Sequence, residues 1–347
     1  MFDPQDLTPV TCSSLKTFKL CRKDYHLRFV RGLQPLEESE AQYLGSVIHG
    51  CLEKWHGRGD ADKDTVVAAI FDYIDASFPG RDQDERQKRD WHLARAMITA
   101  YIETYPFEDF DVVTVEKQFR CPVINPDTGA ASRTFYMRGK VDALVVRNGE
   151  YFLLEHKTAA VIDKGYIEKL PLDFQITLYA HYLEQFMSIR ISGVIYNIIG
   201  KSLIKQGKGE TEEEFEQRRA DLIAKSKTGK SSAKRKLPES DEDFAARLAE
   251  KYLEPGMFHR EMLYIPRSQY ETLTAEIWEL SQQLLIARRT NRWYMNTDVC
   301  FLYNRPCRFF PVCVSGDNPN VIDNRYRVGQ IHPELDEADP AQEPMFT

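Results

Sequence analysis

No stretch of this 347-residue chain approaches the roughly 20 consecutive apolar residues that a membrane-spanning helix needs, which excludes a spanning helix. The N-terminus carries no secretory pattern, and cysteine is sparse at seven. A disulfide framework is therefore not expected, and the chain reads as one from a reducing, cytoplasmic compartment. Positive charge is also short. Lys and Arg number 46 against 53 Asp and Glu, a net charge of −7 that excludes a uniformly basic nucleic-acid binder. The run that imitates a phosphate-binding loop, AKSKTGKS from Ala224 to Ser231, lacks the first glycine and any preceding apolar strand. Its backbone could not make the turn that cradles a phosphate, so ATP binding is set aside.

What the chain has is a hairpin, KVDALVVR-NG-EYFLLEHK, over residues 140–157. Asn148-Gly149 between β-branched and apolar runs marks a two-residue type I′ turn. Counting outward from that turn, Asp142 falls opposite Glu155. Opposed Cβ atoms lie about 4.5–5.5 Å apart, and like charges so placed repel. A divalent cation between them removes that cost. Strand alternation puts Lys157 on the same face as both carboxylates, with Val141, Ala143, Val145, Phe152 and Leu154 on the other. Two carboxylates and a lysine make a hard-metal site with a group able to hold or polarise a water.

Other motifs stand in order around it. GSVIH spans Gly45 to His49, GKVD Gly139 to Asp142, EHK Glu155 to Lys157 and QITLY Gln175 to Tyr179, with SSLKTFKLC from Ser13 to Cys21 at the start. Together with C-terminal cysteines, this set resembles the PD-(D/E)XK nuclease superfamily, in particular its RecB-like branch, which includes AddB and the CRISPR-adaptation exonucleases. The proline usual before the first aspartate is replaced by Val141, which costs no ligand. The resemblance implies that His49, Asp142, Glu155 and the backbone carbonyl of His156 hold Mg2+ or Mn2+. It implies that Lys157 orients a water toward a phosphodiester and that Gln175 and Tyr179 complete the catalytic set. His49 lies on an apolar helical face, where a packed core histidine is the alternative, and packing is the alternative for Gln175 and Tyr179 as well.

Cys300, Cys307 and Cys313 lie close enough in the sequence to suggest a metal site. The resemblance nominates Cys21 as the fourth ligand and a [4Fe-4S] cluster as the occupant. The spacing between Cys300 and Cys307 is wider than the family's usual step, which keeps a structural Zn2+ site, or cysteines that bind nothing, as the alternatives. Cys12, Cys51 and Cys121 read as small buried hydrophobes.

The expected fold is α/β, a restriction-endonuclease-like core with a mixed central sheet flanked by helices, its N- and C-terminal segments joined by the cysteines. Helices are expected over 13–31, 41–57 and from Glu85, and a long one over 271–292. Residues 1–200 and 251–325 form the nuclease domain, 201–250 a charged helical and linker insertion, and 326–347 an acidic, disordered tail. Residues 16–31 carry six basic groups interleaved with Phe18, Tyr25 and Phe29, which reads either as a base-stacking strand path or as a helix packing its rings inward. The expected function is a metal-dependent DNA exonuclease, with single strands or strand ends as substrate and no membrane partner. The alternative is an assembly or DNA-binding subunit of a recombination, repair or spacer-acquisition complex.

Overall fold

The structure, a computed structural model, describes residues 7–36, 40–302, 305–332 and 335; of 40 and 41 only the backbone is described. The strands are β1 (Thr8–Val10), β2 (Leu33–Pro35), β3 (Asp111–Ile124), β4 (Ala131–Arg147), β5 (Glu150–Ala159), β6 (Ile191–Gly200), β7 (Phe258–Tyr264), β8 (Phe301–Leu302), β9 (Arg305–Pro306) and β10 (Tyr326–Val328). The helices are α1 (Cys12–Leu20), α2 (Arg22–Tyr25), α3 (Glu40–His56), α4 (Lys63–Ser77), α5 (Glu85–Thr104), α6 (Lys164–Lys169), α7 (Phe174–Met187), α8 (Glu212–Lys225), α9 (Asp241–Tyr252), α10 (Ser268–Thr290), α11 (Phe310–Val314) and α12 (Pro319–Arg325). None of the described helices is long and apolar enough to cross a membrane.

A mixed six-stranded sheet runs β1-β4-β5-β6-β7, with β3 on the far edge of β4. The α/β expectation holds. Asn148 and Gly149 both take positive φ, 52° and 80°, as a type I′ turn requires, and they lock the predicted register from Arg147↔Glu150 to Ala143↔Leu154. Beyond Ala143 the strands part. β4 next pairs on that edge with β1, at 135–137, in parallel. The edge between Ala143 and Met137 is left without a backbone neighbour, and the candidate site occupies that split.

Two layers of helices bury the sheet. One face, including Leu144, Leu153 and Tyr196, packs on α1, α7 and α10 through Leu15, Phe18, Ile176, Leu183, Ile277 and Leu284. Ala143, Val145, Phe152 and Leu154 pack together on the opposite face, as alternation predicts. Val141 departs from that set and joins the first core. A second helical core gathers α3, α4, α5 and α9 around Trp55, Ile70 and Tyr101. The sequence reading had no place for β1 or for α4, whose Val66, Ile70 and Ile74 face this core.

Three elements differ from expectation. The helix over 13–31 breaks at Cys21, which is extended (φ −155°, ψ 115°), and continues as α2 and a π-helical turn, His26–Val30. Phe18, Tyr25 and Phe29 are buried, so the rings in this basic run pack inward and offer no base-stacking surface. Lys16, Lys19 and Lys23 instead bridge Asp173, Glu276 and Asp317. Within 201–250, α8 buries nothing, whereas α9 seats Phe244, Leu248 and Tyr252 in the second core. Tyr326–Val328, placed in the tail by the sequence reading, pairs with β2; residues 336–347 lie outside the described set.

At Gly193, β6 approaches β7 so closely that an added Cβ would stand 2.1 Å from the Leu263 carbonyl oxygen. Gly193→Ala is therefore expected to cost about 1–3 kcal/mol through overpacking. Gly165→Ala, where the nearest atom is 3.6 Å away, should be close to neutral. Thermal melts of the two variants check this; equal melting temperatures would contradict the strand contact.

Candidate active site

Where β4 leaves β5, the His156 N–H loses its strand partner. It donates instead to Asp142 Oδ2 at 2.8 Å. A buried N–H without an acceptor would cost on the order of 1–3 kcal/mol, so the carboxylate closes the ladder as well as serving the site. From α3, His49 Nδ1 lies 3.3 Å from Asp142 Oδ1. Gly45, one turn earlier, keeps that helix close to β5: a Cβ there would meet Thr158 Oγ1 at 3.4 Å.

Glu155 is buried on the first core's side of the sheet. Its Oε1 accepts from Lys157 Nζ at 2.6 Å and from Gln175 Nε2 at 2.9 Å. Gln175 begins α7, capped by Asp173, whose Oδ1 accepts from the Gln175 N–H. Pro171 lies in the 3-10 turn before that cap. Asp173, missed in the sequence, also has Oδ2 at 3.9 Å from Lys157 Nζ and receives the Lys16 ammonium. The cap signal in PLDFQ marked it. Tyr179 goes elsewhere. Its ring packs edge-on to Phe119 over Gly139, where a Cβ would collide with Phe119 Cζ at 2.4 Å. That contact explains the glycine of GKVD.

Electrostatics follow from this crowding. Burial opposes ionisation of Asp142, but His49 and the His156 N–H outweigh it and hold the carboxyl well below its usual range. Glu155 goes the other way: burial and the neighbouring Asp142 charge push it up to about 7 against the pull of Lys157. Burial opposes charge on Lys157 and His49, yet the carboxylates win, and both are held above their ordinary values. Burial pushes His156 down to about 3, so its ring is neutral.

That ring points to the opposite face, into a polar network the sequence reading did not find. His156 Nδ1 meets Asn197 Nδ2 at 2.9 Å, and Asn197 donates to the Tyr101 hydroxyl at 3.1 Å. Arg260 donates to Tyr101 at 2.9 Å and pairs with Glu108, and His56 stacks on His156 with centroids 5.2 Å apart. The network braces the backbone of 155–157 from behind. Its members lie on α3, α5, the segment between α5 and β3, β6 and β7, and a sequence offers no local spacing that joins them.

The cysteines gather as well. Cys21, Cys300, Cys307 and Cys313 line one cavity of about 260 Å3. The break at Cys21 aims this thiol at the C-terminal segment, where the Asn296 N–H lies 3.5 Å from Sγ, and Lys23 N donates to Tyr294 O. Asp24 is half-buried beside Cys307, its Oδ2 3.7 Å from that sulfur and its buried Oδ1 without a partner among the described residues. All seven cysteines are free, and Cys12, Cys51 and Cys121 are buried in the cores as expected. Among the described residues, no group of three or more His, Cys, Asp or Glu side chains is arranged to grip a single metal ion.

The chain belongs to the PD-(D/E)XK nuclease superfamily, whose family model matches residues 9–313. This makes it a metal-dependent nuclease by class, of a kind that generally uses Mg2+ or Mn2+ and acts on DNA. No curated protein matches the sequence. Among solved structures, the crystal structure of SSO0001 covers 70% of this chain and 84% of its own at 16% identity, with a TM-score of 0.20 that carries no argument.

The upward shift at Glu155 fixes a sign. A carboxyl raised from 4.5 to about 7 in the fold favours the folded state most when protonated, and that contribution is lost as pH rises through about 7. Glu155→Gln has no such proton to lose. In EDTA, the stability of the unmodified protein relative to this variant should therefore fall between pH 5 and 8, read by urea denaturation. A pH-independent difference would contradict the shift.

Proposed function

We propose that the protein is a Mg2+- or Mn2+-dependent DNA exonuclease of the RecB-like type, with Asp142, Glu155 and Lys157 as its centre. The observation that carries this reading is the convergence of His49, Asp142, Glu155, Lys157 and Gln175 at the split between β4 and β5. The donors fit a hard divalent cation: two carboxylates and an imidazole, with Glu155 pushed up partly by Asp142, the repulsion that a cation relieves. Asp142, Glu155, His49 and the His156 carbonyl would hold the ion, which supplies Lewis acidity toward the phosphate and acidifies a water. Lys157, charged and fixed between Glu155 and Gln175, orients the attacking water. Gln175 holds the carboxylate in place, and the neutral His156 ring anchors the strand through Asn197. Tyr179 serves by packing on Gly139. Preference for strand ends rests on the RecB-like motif set.

The cysteine cavity takes a [4Fe-4S] cluster in this reading. Four free thiols lining one cavity of some 260 Å3 support that reading. The cluster is structural. It ties α1 and α2 to the segment after α10, and a clamp across so long a loop stabilises the fold by restricting the unfolded chain.

Asp142→Ala and Glu155→Ala should each abolish Mn2+-dependent cleavage of end-labelled DNA while the folded spectrum persists, and Lys157→Ala should turn over poorly with metal bound. Near-normal cleavage by either carboxylate variant would sink the assignment. Protein purified without oxygen should be brown, with about four irons per chain, and Cys21→Ser should bleach it. One tightly held zinc in a colourless protein would replace the cluster, and full colour in Cys21→Ser would remove the clamp.

A further inference from the structure

A larger groove, about 1230 Å3, opens between the cysteine lobe and α3. Four arginines line it from separate segments: Arg28 in the π-helical turn, Arg308 just after Cys307, Arg325 ending α12 and Arg327 in β10. Arg308, Arg325 and Arg327 are exposed, and among the described lining residues none is acidic. Among the described residues, the charged side chains that line this concavity are thus all positive. The opposite wall is α3, which presents Tyr43 and Ser46. Ser46 is three residues before His49, so one helical turn leads from the groove to the candidate metal centre.

We propose that this groove carries the backbone of single-stranded DNA toward Asp142 and Glu155, an inference that rests on the nuclease reading. Arginine forks match phosphate oxygens in pairs, and their planes accept unpaired bases. The half-exposed Tyr43 ring and the exposed Leu36 side chain add apolar surface to the same rim, of use to an unpaired base and of little use to a closed duplex. The groove thus supplies what the inward-packed rings of 16–31 do not.

The test is binding of a fluorescein-labelled oligothymidylate to the full-length protein in EDTA across a salt series. Arg308→Ala, Arg325→Ala and Arg327→Ala combined should weaken binding at least tenfold at about 0.1 M salt and flatten the slope of log K against log salt by about 2, at about 0.7 per phosphate contact. The three lysine replacements should keep most of the slope. Unchanged affinity and slope in the alanine variant would overturn the proposal, and a greater loss for duplex than for single strands would overturn its single-strand part. Unmodified protein that binds as expected yet does not cleave with Mn2+ would contradict the nuclease reading alone. Cleavage by the unmodified protein, with unchanged binding by the alanine variant, would contradict the groove alone.

Discussion

The parting of two strands organises this molecule. β4 and β5 run as a tight hairpin to Ala143 and Leu154 and then separate, because β4 is claimed on the same edge by β1. The separation strands the His156 N–H, and the Asp142 carboxylate takes it at 2.8 Å. A single hydrogen bond thus satisfies the backbone, fixes one carboxylate at the mouth of the split and sets the second, Glu155, one residue before the donor. Helices from both faces converge there, α3 with His49 and α7 with Gln175. The site exists because the sheet is incomplete at that place.

The charges in the split are unequal, and the inequality has a physical source. Asp142 meets an imidazole and a backbone N–H; Glu155 is deeper, faces Asp142 and has only Lys157 and Gln175 to compensate it. One carboxyl is therefore held down and the other pushed up to about 7. Two such groups, poorly satisfied by each other and shared among cations, are what a divalent ion relieves. Behind them the neutral His156 ring, Asn197, Tyr101 and Arg260 keep the strand from yielding to that repulsion. The second constellation follows the same logic at larger scale, since the break at Cys21 turns a thiol toward three others almost the whole chain away.

What was legible in the sequence was local. Asn148-Gly149 determines a turn with no freedom of register, so the approach of Asp142 to Glu155 could be counted from it, although the strand pairing itself ends one step earlier, at Ala143↔Leu154. The alternation that put Ala143, Val145, Phe152 and Leu154 on one face is equally local. What could not be read depends on contacts between distant segments. The three-residue strand β1 is too short to carry a periodic signal, yet it is what opens the split. The basic, aromatic-bearing run of 16–31 has the same composition whether its rings face solvent or core, and only packing against α10 and Trp293 decides that they face inward. Tyr179 fell to the same ambiguity, and the arginine groove draws on segments some 300 positions apart, where no spacing rule applies.

The most direct measurement of the central claim is anomalous diffraction from crystals equilibrated with Mn2+. The account predicts a manganese peak in the split, bound by Asp142 and Glu155 with His49 alongside. A saturated crystal with no peak there would contradict it.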